Sequence, residues 1–188
     1  MPRRNTAGPY RPERGILREK AASRNAASGP RSRLAPRVAV AAPWNGGVYL
    51  ADTSAWVRAR HVEHDWQAAV ANGQIATCDV VVLELLYSAR DGADFDDRAG
   101  ELGLLRTAPI GPAVLATAKA AFRALAQRHP LFHRSVSVPD LITAAALITA
   151  AAAADAGIGV LHYDVGYDTL AEVLPFESRW IAPRGSID

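Results

Sequence analysis

The chain has 188 residues, 49% of them apolar and 21% charged, with 21 basic side chains against 19 acidic ones. That length and apolar content suit one domain with its own hydrophobic core, and they exclude both a disulfide-stapled mini-protein and a wholly disordered chain. A lone cysteine, Cys78, excludes an intrachain disulfide and a paired-cysteine metal knuckle, and no run of about 18 strongly apolar residues reads as a membrane span.

The near-neutral total hides a division. Residues 1–47 carry ten basic and two acidic side chains, a net of +8, whereas residues 48–188 carry eleven and seventeen, a net of −6. The folded part is therefore acidic, and a nucleic-acid argument built on the overall charge would rest on the wrong segment. Residues 1–37 mix Arg, Pro, Gly, Ser and Asn without a sustained apolar period, and Pro2, Pro9, Pro12, Pro30 and Pro36 interrupt any regular element. This predicts a disordered basic extension, read as dispensable in preference to an RNA-binding arm of Arg3, Arg4, Arg31, Arg33 and Arg37. No apolar stretch follows its basic residues as a secretory signal requires. Residues 38–47 read as a connection, and the domain is expected over 48–188.

Val48-Tyr49-Leu50-Ala51 reads as a buried strand that delivers Asp52 to a strand–helix turn, with Thr53 or Ser54 capping the helix that carries Trp56. A helix over about 62–71 ends at Asn72-Gly73, and residues 75–78 form the next strand. Asp79 is the expected cap of a helix over about 80–89, in which Glu84 alone interrupts an apolar stretch. Four aspartates, Asp91, Asp94, Asp96 and Asp97, open a helix reaching Leu104 or Leu105. Ile110 falls in a short strand or turn.

Pro112 starts a long helix to about Gln127, with Val114, Leu115, Ala118, Phe122 and Leu125 along one side. A loop over 129–138 holds His129, His133 and Arg134. Pro139 and Asp140 then open an alanine-rich helix to about Ala156, with Gly157 as its cap. Residues 159–163 form another strand that ends at an acid, Asp164. A helix over about 167–173 and an edge strand over 178–181 complete the chain. This alternation predicts an α/β fold, a three-layer α/β/α sandwich with a mostly parallel, about five-stranded sheet.

Parallel sheets of this kind bind ligands beyond the carboxyl ends of their strands. Asp52 and Asp164 both follow apolar strands, Glu84 is an acid in an apolar helix, and Asp140 lies at a helix start. Each has an ordinary explanation alone, as a cap, a solvated position or a helix-initial acid. Together they point to a shared cation, because buried carboxylates need a partner. All-oxygen ligation suits Mg2+ or Mn2+. His162 beside a strand end reads as a structural imidazole, and Trp56 and Trp66 as core or interface residues in preference to stacking platforms.

The strings Asp52-Thr53-Ser54-Ala55-Trp56, Glu84-Leu85-Leu86, Pro139-Asp140-Leu141-Ile142-Thr143 and Leu161-His162-Tyr163-Asp164, with Tyr167-Asp168 after the last, resemble a PIN domain. Their order and spacing are similar to those of the VapC-type ribonuclease toxins of bacterial toxin–antitoxin pairs, over residues 48 to about 182. The resemblance implies a catalytic and metal-binding quartet of Asp52, Glu84, Asp140 and Asp164, holding one or two Mg2+ or Mn2+ ions. The family's hydroxyl near the first acid falls on Thr53 or Ser54. Many members carry a further acid two residues after the last of the quartet, where this chain has Gly166; Asp168 matches an aspartate that often follows an aromatic there.

What the resemblance implies is a cytoplasmic endoribonuclease acting on structured RNA, tRNA or ribosomal RNA, and leaving 5′-phosphate and 3′-hydroxyl ends. It also implies a homodimer neutralised by a cognate antitoxin, with DNA reached only through that antitoxin. Candidate RNA contacts are Arg58, Arg60, Arg90, Arg134 and Arg179. The rival reading is a catalytically weak PIN-like protein that acts through its antitoxin in operator binding. A magnesium phosphatase using Asp52 as nucleophile would want a second aspartate where Ser54 stands. The chain has no Walker phosphate loop and no dinucleotide fingerprint.

Overall fold

Five short strands lie side by side, all parallel, in the order β3-β2-β1-β4-β5. The computed structural model describes residues 44–128 and 142–188, with backbone alone over 142–145 and at 147. In chain order the elements are β1 (Tyr49–Ala51), α1 (Thr53–Arg58), α2 (Glu63–Ala71), β2 (Ile75–Thr77), α3 (Asp79–Tyr87), α4 (Gly92–Leu102) and β3 (Arg106–Thr107). Then come α5 (Pro112–Arg128), α6 (Ile142–Asp155), β4 (Gly159–His162), α7 (Gly166–Ala171) and β5 (Ser178–Trp180). The result is the expected three-layer α/β sandwich.

The middle of the sheet explains why the sequence there is apolar without alternation. Tyr49, Leu50 and Ala51 of β1 and Val160 and Leu161 of β4 are all buried, as a strand covered by helices on both faces requires. Burial of a side chain such as Leu50 contributes about 1.5–3 kcal/mol. Helix α6 packs on β1 and β4 and against neighbouring helices as well, and its four consecutive alanines Ala150, Ala151, Ala152 and Ala153, which point to different sides, are all buried. Trp56 of α1 and Trp66 of α2 meet edge to face, with ring centroids 4.8 Å apart, and both are core residues. Gly73 and Gly157 follow α2 and α6 at φ of 71° and 65°, the left-handed conformation that ends a helix cheaply only at glycine.

Several local details differ from the sequence reading. The short strand is Arg106–Thr107 and not a segment at Ile110. It is an exposed two-residue edge paired to β2, with Ala76 opposite Arg106 and the Ala108 N–H donating to the Thr77 carbonyl at 2.8 Å, and it is flanked by buried Leu105 and Ala108. Cys78, in extended conformation, precedes α3, so Asp79 is the first helical residue and not the cap. A 3-10 turn over Ala59–Val62 joins α1 to α2, and the latter starts at Glu63. Along α5, Val114, Ala118 and Leu125 are buried while Leu115 and Phe122 are exposed. Helix α7 begins at Gly166 and stops at Ala171.

The basic extension as far as Pro43, the loop with His129, His133 and Arg134, and the helix start at Pro139, Asp140 and Leu141 lie outside the described residues. Trp44 is within them. It packs against the core, and its carbonyl accepts a hydrogen bond from the Tyr49 hydroxyl at 3.0 Å. No helix among the described residues is long and apolar enough to cross a membrane.

Candidate active site

Asp52 stands where β1 ends. Its backbone N–H donates to the Leu161 carbonyl at 2.9 Å, continuing the pairing with β4, and its side chain caps α1. Oδ2 accepts from the Ser54 N–H at 2.9 Å and from the Ser54 hydroxyl at 2.6 Å. Oδ1 accepts from the Tyr167 hydroxyl at 2.6 Å. Asp52 itself is therefore the helix cap, the role expected of Thr53 or Ser54, while its carboxylate also faces groups from β4 and α7. The Ser54 hydroxyl accepts in turn from the Tyr163 N–H at 2.9 Å, which ties α1 to the end of β4.

Helix α3 brings the second acid. Glu84 is half-buried, and the Thr53 hydroxyl donates to its Oε2. Burial pushes the Glu84 carboxyl above the usual carboxylate range and the negative charge of Asp52 adds to this, while the Thr53 hydroxyl opposes it. On the same helix Leu83 and Tyr87 are exposed, so the apolar stretch is not uniformly inward and the acid is the more sheltered neighbour.

Asp164 follows β4 and is exposed; its Oδ1 accepts from the Gly166 N–H at 2.8 Å. Asp52 and Asp164 thus leave adjacent central strands at the same edge, where the chain turns to β2 on one side and β5 on the other. That divergence forms the crevice in which open parallel sheets bind ligands. Asp52, Asp164 and Glu84 all act electrostatically on the Tyr167 hydroxyl. Burial first, and then these charges, push it well above the usual tyrosine range.

A chain of hydrogen bonds runs from the Asp164 N–H through buried His162 to exposed Asp168. Nδ1 of fully buried His162 accepts from the Asp164 N–H at 3.2 Å, which leaves the proton on Nε2 to meet the Ser178 hydroxyl at 2.7 Å. Ser178 donates to Asp168 Oδ1 at 2.6 Å, and the Trp180 indole N–H donates to the same carboxylate at 3.1 Å. Burial lowers the His162 pKa and keeps the ring neutral, against the pull of Asp168, Asp52 and Asp164. The imidazole is structural, as its place at a strand end implied. Asp168 fastens α7 to β5.

The arginines divide. The Arg58 guanidinium sits 4.5 Å from the centre of the Tyr163 ring, and its Nη1 donates to the Ser54 carbonyl at 3.3 Å, which holds it against the segment that follows β4. Arg60 is exposed on the 3-10 turn and meets His61. Arg90 pairs with Asp94 at 3.1 Å, and buried Arg98 reaches the same oxygen at 3.0 Å. Arg179, on β5, lies 3.9 Å from Glu177. Arg134 and Asp140 lie outside the described residues.

Two guanidinium groups hold the Asp94 carboxyl far below the usual carboxylate range. A depressed pKa adds stability above the unfolded-state value of about 3.9, and that stability disappears as the pH falls through the folded-state value. Asp94→Asn should therefore lower the melting temperature at neutral pH and narrow the gap to wild type as the pH drops below about 4. Melting curves across that range check it; a gap that stayed constant would show that the ion pairs contribute nothing.

Among the described residues no group of three or more His, Cys, Asp or Glu side chains is placed to hold a metal ion. The donors nevertheless suit a hard cation. Asp52 and Glu84 are two mutually repelling carboxylates, and among the described residues neither is in an ion pair. A divalent cation relieves such repulsion, and oxygen-only ligation matches Mg2+ and Mn2+.

Tyr167 is the part of the site that residue-level reading passed over. Its only trace is an aromatic one helical turn past Asp164. Ser54 is legible in the sequence as a hydroxyl near the first acid, but its bond to Tyr163 and the role of Ser178 are not, since both depend on contacts between distant segments.

The family model for the PIN domain matches residues 49–173. Among curated proteins, the chain is 41% identical over 142 residues to Ribonuclease VapC18 of Mycobacterium tuberculosis, covering 74% of this chain and 99% of that protein. It is 31% identical over 145 residues to Ribonuclease VapC51 of the same organism, covering 74% and 97%. With Ribonuclease VapC21 the identity is 32% over 144 residues, covering 73% and 96%.

Proposed function

The chain belongs to the PIN-domain family and, within it, to the VapC-type toxins, and on that basis we propose that it is a metal-dependent endoribonuclease. Its substrate is structured RNA, tRNA or ribosomal RNA, and its products carry 5′-phosphate and 3′-hydroxyl ends. The observation that carries this reading is the bond from Thr53, the residue after Asp52, to Glu84, which brings the two acids within electrostatic reach, with Asp164 leaving the neighbouring strand at the same sheet edge.

Asp52, Glu84, Asp140 and Asp164 would hold one or two Mg2+ or Mn2+ ions. Such a cation, when bound, supplies a water of lowered pKa and neutralises charge on the phosphate. The chain's own groups do the rest. Ser54 and Tyr167 fix the Asp52 carboxylate, and Thr53 orients Glu84 toward it. Arg58, braced against Tyr163 one residue before Asp164, would offer positive charge to an incoming phosphodiester. Arg60, Arg90, Arg134 and Arg179 are further candidates for backbone contacts. The protein would act in the cytoplasm as a homodimer, held silent by a cognate antitoxin and touching DNA only through it.

Incubation of purified protein with total RNA, with Mg2+ or Mn2+ and with EDTA, tests the reading when the new 5′ ends are sequenced. Discrete cuts with 5′-phosphates that vanish with EDTA are expected. RNA left whole at verified metal loading and free of antitoxin would overturn the proposal and favour a binding protein.

A further inference from the structure

The acids can be sorted by how firmly each is held. Asp164 accepts one backbone hydrogen bond and is exposed, and Glu84 accepts from one hydroxyl. Asp52 accepts three: two from Ser54 on Oδ2 and one from Tyr167 on Oδ1. A carboxylate oxygen has two lone-pair directions. Both on Oδ2 are therefore engaged, while Oδ1 keeps one open. Tyr167 is 1% exposed, and its ring is packed near His162 and Phe176, with centroids 4.9 Å and 6.5 Å away. A rigid ring with a single donor thus closes the last rotational freedom of the Asp52 side chain.

We propose that Tyr167 is a positioning residue, which locks Asp52 so that it meets a divalent cation through the free lone pair of Oδ1 alone. The inference rests on the metal-dependent reading above and adds to it a residue outside the acidic quartet. Tyrosine serves here and phenylalanine would not, because the ring fills the same space in both and only the hydroxyl reaches Asp52. Ser54 plays the matching part on the other oxygen. Its hydroxyl is fixed by the Tyr163 N–H, so both braces are anchored on the segment that follows β4. Groups that orient metal ligands affect cation affinity strongly, by about 10- to 100-fold when removed.

The test compares wild type, Tyr167→Phe, Ser54→Ala and Asp52→Asn. Mn2+ affinity of the full chain is measured by calorimetry, melting temperature without metal is recorded, and RNA cleavage is followed across a Mn2+ titration. Tyr167→Phe should bind Mn2+ about tenfold more weakly while melting close to wild type. Its cleavage deficit should be largest at low Mn2+ and close as Mn2+ saturates, which a purely structural role would not produce. Wild-type affinity in Tyr167→Phe, with Asp52→Asn still defective, overturns the positioning role and leaves the nuclease reading standing. A wild-type protein that neither binds Mn2+ nor cleaves overturns both. Should Tyr167→Phe fail to fold, Ser54→Ala decides, because wild-type Mn2+ affinity in that variant contradicts a braced Asp52.

Discussion

Asp52→Asn is expected to reduce RNA cleavage by more than about a hundredfold while leaving the fold intact, since groups that merely orient metal ligands already cost 10- to 100-fold. The amide has the shape of the carboxylate and retains an oxygen to accept from Ser54, so the cap on α1 survives. What is lost is the charge and, on the other side, the acceptor for the Tyr167 hydroxyl, which meets an amide NH2 instead. Glu84 is then relieved of its neighbour, and its carboxyl falls back toward the ordinary range by the part that Asp52 contributed, while the larger part, from burial, remains. Relief of this repulsion and loss of the Tyr167 bond act in opposite directions, so thermal stability without metal should stay close to wild type. Parallel cleavage assays and melting curves check both halves. Cleavage at the wild-type rate would remove Asp52 from the chemistry.

The largest expected loss of stability comes from Trp66→Ala. Trp66 is fully buried, and its ring meets Trp56 at an interplanar angle of 73°. Truncating a buried tryptophan to alanine costs about 3–5 kcal/mol, a large share of the roughly 5–15 kcal/mol that holds a typical domain together. The damage should reach the site, because Trp56 lies on α1 two residues beyond Ser54 and its packing sets where that helix begins. Trp66→Phe should cost much less. It keeps an aromatic in place and removes a buried indole N–H that has no partner among the described residues. Urea denaturation of the three proteins measures the difference, and a Trp66→Ala loss under about 1 kcal/mol would show that the cavity collapses.

Much of the site could be read from residues because the features concerned are local. β1 and β4 announce themselves as apolar runs, since a strand covered on both faces has no polar side to alternate with. Asp52 and Asp164 follow those runs directly, and Glu84 breaks a helical apolar stretch. The parts that were not legible depend on distance or on backbone alone. Arg106–Thr107 forms an edge strand with no apolar side chain, because pairing with β2 needs only its amide and carbonyl groups. Leu115 and Phe122 share the apolar character of Val114 and Leu125, yet α5 turns them outward. The bond from Tyr167 to Asp52 joins residues 115 apart, and no local pattern encodes it.

That separation also bears on synthesis. β1 emerges first but can be completed only by β4, which is made more than a hundred residues later; the link from Tyr163 to Ser54 spans 109 positions. Chains grow at roughly 5–20 residues per second, so for several seconds the ribosome carries a segment with Asp52 and Glu84 but without Asp164, Tyr167 or the Tyr163 N–H that fixes Ser54. The acids come together only in the last stretch of translation. A chain that stops before the codons for β4 is in this way left with two of these acids and no assembled centre.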